Sequence, residues 1–266
     1  MVGKRVIEAM CRIRCTAEVA SEFRYENPII GKKDMCIVIS QSGETADTLA
    51  AMRLAKQAGA FTIAIVNVVS STIAREADGV LYTWAGPEIA VATTKAYSAQ
   101  LAALYLISVK IARVRGLISI GDERALCAEL QRLPECITEA LKCQPDMQRI
   151  ATLYANRPSV FFLGRGLDYA AALVVALATQ PALFEKTVSN IREVVARGAS
   201  VVLVTTDDFT GDESVCQHII RLPKCLYEFS ASLSIIPMQL FAYYVAVERN
   251  CDVDKPRNLA KSVTVE

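Results

Sequence analysis

Apolar positions along the chain follow two rhythms. Short unbroken runs predict strands covered on both faces, and spacings of three and four predict helices with one buried face. Val2 to Arg12 has the second rhythm, with Val6, Ile7, Met10 and Cys11 on one side. Cys15 to Ala20 reads as a short strand, and Ser21 as the cap of a short helix, Glu22 to Tyr25, stopped by Pro28. Met35 to Ile39 is an unbroken apolar run, hence a buried strand, and it ends at Ser40. A helix over Ala46 to Ala58 follows, with Leu49, Met52 and Ala55 inward and Gly59 at its end. Phe61 to Val66 predicts a second buried strand, Ser71 to Ala77 a short capped helix, Val80 to Thr83 a third strand and Lys95 to Val114 a long helix. This alternation predicts a parallel sheet wound with helices, whose ligands sit beyond the carboxyl ends of the strands. Ser40 lies at one such end and the loop Ala85 to Thr94 at another.

From Gly121 to Ala155 the patterns are helical, broken at Pro134 and Pro145, with no strand among them. Ser159 to Leu163 then opens a second sheet. Helix Pro181 to Arg197, strands Ser200 to Thr205 and His218 to Leu222, and helix Ser230 to Glu248, where Pro237 favours a kink, complete it. One piece conflicts. If Leu173 to Thr179 is the next parallel strand, only Gly164 to Ala172 is left for the crossover, less than the roughly dozen residues such a connection needs. The alternatives are one helix over Asp168 to Thr179 ended by Pro181, or a different pairing of the two strands.

The polar turn after the first buried run carries the most chemistry. Ser40-Gln41-Ser42-Gly43-Glu44-Thr45 sets three hydroxyls, an amide and a glycine where strand becomes helix. A helix N-terminus offers free N–H groups and partial positive charge, so short donors around it make a cradle for an anion such as phosphate. The plainer alternative is that these hydroxyls only cap the helix.

The run SQSGETADTLAAMRLAKQAGA resembles the sugar isomerase (SIS) region of the glucosamine-6-phosphate synthases, the glutamine-dependent fructose-6-phosphate aminotransferases. VASEFRYENPII before the strand, AGPEIAVATTKAYSAQL after it and DVDKPRNLAKSVTVE at the end agree, so the resemblance covers nearly the whole chain. It implies an α/β fold of two SIS-type parallel-sheet subdomains with flanking helices, the second shortened. The implied layout is a first subdomain over 1–120, a helical connector over 121–155, a second subdomain over 156–250 and a tail over 251–266 that closes on the sugar site. It further implies that Ser40, Gln41, Ser42 and Thr45 hold the phosphate of fructose 6-phosphate or glucosamine 6-phosphate, and that Val91, Ala92, Thr93 and Ala260 contact the sugar. Lys261 is the implied catalytic residue, a lysine able to form a Schiff base with the open-chain sugar. Read without the resemblance, Lys261 is an exposed lysine on a loose terminus and Lys95 a solvated lysine opening a helix.

Two family segments find no match. The family's glutamate base and ring-opening histidine belong in a segment that should follow Leu173; Asp168 and Glu185 match no family motif, and His218, at a strand end, does not replace the histidine. A first strand with a serine-bearing loop, and before it a glutaminase domain with a cysteine nucleophile, should precede Val2; Cys11, inside a helix, is no substitute. Two functions therefore stand open: a shortened isomerase half making glucosamine 6-phosphate from fructose 6-phosphate and ammonia, or a sugar-phosphate-binding module without turnover. A chain too short to fold stably is the plainest outcome.

Composition narrows the partners. The 266 residues carry 29 basic and 28 acidic side chains, a net charge of +1, which argues against nucleic acid and anionic membrane. The best candidate span, Leu101 to Ile118, is interrupted by Lys110 and Arg113, and no leader pattern follows Met1, so a cytoplasmic location is expected. The 9 cysteines are scattered without a C-x-x-C pair and His218 is the one histidine, a poor ligand set for a metal. The expected partner is a phosphorylated hexose, with no cofactor, no metal and a homodimer as the assembly.

Overall fold

The computed structural model describes residues 1–157, 160–163, 173–196 and 198–255. They form two compact units, Met1–Arg124 joined by Asp254 and Lys255, and Ala125–Val253.

In the first unit, β1 (Met35–Ser40), β2 (Phe61–Val66) and β3 (Gly79–Tyr82) make a parallel sheet in that order. Side chains alternate across it, so Val38, Ala64 and Val66 pack with Met52 of α3 (Ala46–Gln57) and with Ile73 and Ala74 of α4 (Thr72–Glu76). The opposite face sends Ile37 toward Ile7 and Cys11 of α1 (Val2–Cys11) and Ala112 of α5 (Lys95–Val114). The helix ending at Gly59 closes as its glycine predicts: Gly59 has a φ of 91°, and the Ala60 N–H returns to the Ala55 carbonyl.

Three expectations fail here. β1 is not covered on both faces: Met35 and Ile39 are 42% and 40% exposed, because among the described residues β1 pairs with β2 alone. Cys15 to Ala20 is no strand. Among the described residues its backbone meets no neighbouring strand, and the Cys15 N–H goes to the Glu8 carboxylate at 3.1 Å. The short helix after it, α2, is Ala20–Phe23, so Ser21 lies inside it and does not cap it.

In the second unit, β4 (Val160–Leu163), β5 (Leu173–Ala178), β6 (Ser200–Thr206) and β7 (His218–Leu222) run parallel in that order. Leu173, Val175, Val202 and Val204 face a cluster with Met147 and Ile150 of α7 (Gln144–Tyr154) and Leu233, Ile236 and Phe241 of α9 (Ser230–Glu248). Val174, Ala176, Val201 and Leu203 face Phe184, Val188 and Ile191 of α8 (Phe184–Ala196).

The conflict over Leu173 to Thr179 resolves as a strand. β5 pairs in parallel with β4, Val160 opposite Leu173, despite the short connection; residues 164–172 lie outside the described residues. The run is buried on both faces and paired on both edges, which is where an unbroken apolar segment gains most from ladder and core. Pro134 does not break its helix either. α6 (Ile120–Ala140) runs through it, since the buried Leu133, Cys136 and Ala140 anchor the helix on both sides of the lost hydrogen bond. The helix Tyr227–Glu248 is long and apolar enough to cross a membrane by length and composition, a case that the reading of Leu101 to Ile118 passed over. Its Leu233, Ile236 and Phe241 are spent on the core of this unit.

Candidate functional site

β1 delivers Ser40 to the carboxyl edge of the first sheet, where it is 5% exposed. Its hydroxyl accepts the Gly43 N–H at 3.0 Å and shares a hydrogen bond with the Thr45 hydroxyl at 2.9 Å, which folds the turn back on itself. Ser42 Oγ accepts the Glu44 N–H at 3.2 Å. Thr45 is the first residue before α3, yet among the described residues no side-chain hydrogen bond caps that helix. The capping alternative therefore does not describe this turn: its hydroxyls shape the loop and leave the helix end uncapped. The Ser40–Thr45 pair holds two hydroxyl protons and uses one between them, and Ser42 acts as an acceptor, so two O–H donors remain for a ligand beside the helix N-terminus. Gln41 is half-buried in the same turn.

α4 backs the turn. Its Ile73 N–H donates to the Gly43 carbonyl at 3.0 Å, and the Thr72 N–H donates to the Glu44 carboxylate at 2.7 Å. The Thr72 hydrogen bonds, backbone first, hold the Glu44 carboxyl below its ordinary value, so the one acid of the turn stays ionised and engaged with α4.

Asn67, just past β2, joins this turn to the next loop, and the sequence reading missed it. Its backbone N–H donates to the Gln41 carbonyl at 3.2 Å and its Nδ2 to the Gly86 carbonyl at 2.8 Å. Its Oδ1 accepts from the Thr83 hydroxyl at 3.0 Å and the Ala85 N–H at 2.8 Å. An asparagine directly behind a buried strand was the available signal, because such a side chain can both donate and accept across neighbouring strand ends.

In the loop that Asn67 holds, Val91 and Thr93 are half-buried and Ala92 is exposed. Lys95 is exposed at the start of α5. Glu88, also missed, is 8% exposed, and its Oε2 accepts the N–H groups of Thr94 and Ala96 at 3.3 and 3.1 Å. The Val91 N–H donates to the Asp254 carbonyl at 3.0 Å, so the base of the C-terminal tail is attached to this loop. Ala260, Lys261 and Asp168 lie outside the described residues. Glu185 is an exposed first-turn residue of α8. His218 opens β7 with its ring 3.4 Å from the Tyr154 hydroxyl; burial, then Arg149, lowers its pKa. Among the described residues no group of three His, Cys, Asp or Glu side chains could hold a metal ion.

Known proteins resemble this chain in sequence and fold. The family profile described as SIS domain matches residues 1–110. The chain is 48% identical to the glutamine–fructose-6-phosphate aminotransferase [isomerizing] of Caldanaerobacter subterraneus subsp. tengcongensis and 46% identical to that of Clostridium tetani, in each case over 100% of this chain and 50% of the relative. It thus spans about half the length of the curated relatives it matches. The first of these alignments is 301 positions long against 266 residues here, so 35 positions of the relative face no residue of this chain. The solved glucosamine-6-phosphate deaminase of Thermotoga maritima shares the fold, with a TM-score of 0.69 at 20% identity over 98% of this chain and 85% of that one. The solved C-terminal domain of glucosamine-fructose-6-phosphate aminotransferase from Francisella tularensis is nearer, with a TM-score of 0.88 at 30% identity over 96% of this chain and 83% of that one. With the fold in common and 30% of the sequence identical over that length, the chain belongs to the family of sugar-isomerase (SIS) domains of the glutamine–fructose-6-phosphate aminotransferases.

Proposed function

We propose that the chain binds fructose 6-phosphate and glucosamine 6-phosphate and serves the isomerase step of hexosamine synthesis. The observation that carries this reading is the uncapped N-terminus of α3 beside Ser40, Ser42 and Thr45, whose hydroxyls fold the turn and still have protons to donate. A dianionic phosphate there gains backbone N–H groups, the helix dipole and charge-assisted O–H bonds together. Ser40, Gln41, Ser42 and Thr45 are its proposed ligands. The sugar then extends toward the loop of Val91, Ala92 and Thr93 and toward Ala260, and Lys261 meets the carbonyl of the open-chain form.

The Val91–Asp254 bond supports the role of the tail, because Lys261 follows Asp254 by seven residues, a reach of at most about 25 Å. As a primary amine, Lys261 can add to the sugar carbonyl and release water, forming an imine that makes the neighbouring C–H more acidic. A homodimer and a cytoplasmic setting belong to the same reading.

Calorimetric titration tests it. Ser42→Ala and Thr45→Ala are each expected to weaken fructose 6-phosphate binding about tenfold, the worth of one hydrogen bond to a charged group, and to leave binding of unphosphorylated fructose unchanged. Equal losses for both sugars, or no saturable binding of the phosphate ester by the unaltered chain, would overturn the assignment.

A further inference from the structure

Among the described residues Glu88 is the one charged side chain that is buried, at 8% exposure. Burying a carboxylate is costly unless hydrogen bonds and charge offset it. Its Oε2 takes the N–H groups of Thr94 and Ala96 at the positive end of α5, a helix of 20 residues, which supplies both. The carboxylate thereby draws position 88 onto the start of α5 and closes the segment between them into a short loop. That segment stays at the surface, with Ile89 73% exposed and Ala92 exposed. From it Val91 reaches the Asp254 carbonyl through its N–H. The start of the loop is held separately, by Asn67 at Ala85 and Gly86. The phosphate turn has its own supports in Ser40 and α4. Glu88 thus acts on one part of the site and not on the other.

We propose that Glu88 is a positioning residue that sets the sugar-facing loop and the base of the tail, and so governs recognition of the hexose while leaving phosphate capture alone. This rests on the phosphosugar reading above. Two measurements on the full chain test it, amide exchange at Val91 and calorimetric titration with fructose 6-phosphate and with inorganic phosphate. Glu88→Ala is expected to speed exchange of the Val91 amide at least about tenfold and to weaken fructose 6-phosphate about tenfold or more, with inorganic phosphate held within about twofold. Glu88→Gln keeps an oxygen acceptor at the helix end and is expected to recover most of both effects. Parallel losses for the two ligands, or Val91 exchange unchanged in Glu88→Ala, would overturn the proposal. If the unaltered chain binds neither ligand, the phosphosugar reading fails, and Val91 exchange alone decides the role of Glu88 in the loop.

Discussion

A Cβ added to Gly43 would meet the Ser71 hydroxyl at 2.0 Å and the Ser71 Cβ at 2.5 Å, at a φ of 69° that L side chains rarely adopt. Steric crowding and backbone strain therefore act at the same residue of the turn. Gly43→Ala is expected to cost about 2 kcal/mol or more, read as a lower urea midpoint. Adding Ser71→Gly to it should return the steric part and leave the part due to φ. Ser71 itself makes a second prediction. Its hydroxyl is buried with no hydrogen-bond partner among the described residues, so Ser71→Ala should be neutral or slightly stabilising, and a clear drop in the midpoint would show a partner in solution. At this scale the hydroxyl donors of the turn were legible because residue type alone names them. The inward use of the Ser40 hydroxyl was not, since its partners Gly43 and Thr45 depend on how the turn folds.

Elements in this protein are held at their ends as much as by their faces. Asp78, just before β3, accepts the Thr62 N–H at 2.9 Å and hydroxyl at 2.7 Å and lies 2.8 Å from the Lys56 ammonium, so α3, β2 and β3 are fastened at one corner. Lys56 first, then Thr62, lower its carboxyl from 3.8 to about 2. A folded pKa below the unfolded one gives stability that is present above the unfolded value and lost as pH falls through the folded one. The excess urea midpoint of the unaltered chain over Asp78→Asn should thus be full at neutral pH and vanish between about 4 and about 2. A difference that persists below this window would assign the effect to packing. In the second unit, Leu203 is fully buried in β6 between two strands, and Leu203→Ala should cost about 2–5 kcal/mol in denaturant unfolding. β5 beside it was legible as an apolar run but ambiguous between strand and helix, because a segment buried all round loses the periodicity that tells the two apart.

For the whole molecule the open matter is turnover. The relative's 35 unmatched positions and the nine-residue step from β4 to β5, residues 164–172, mark this chain as shorter inside than the proteins it resembles. Incubation with fructose 6-phosphate and ammonium, followed by assay of hexosamine phosphate, measures turnover directly. Product that disappears in Lys261→Ala is the expected result for the isomerase reading, and saturable binding without product would make the chain a phosphosugar-binding module. By itself the sequence determined the parallel α/β class, the positions of the sheet strands other than β5, and the donors after β1, because apolar rhythm and side-chain chemistry are local properties. Only the tertiary structure decided that β1 pairs with β2 alone among the described residues, that Cys15 to Ala20 stays irregular, that β4 and β5 pair in parallel, and that Asn67 and Glu88 hold the loops of the candidate site. Each of these depends on which backbone groups meet across distant parts of the chain, and no local pattern of residues carries that information.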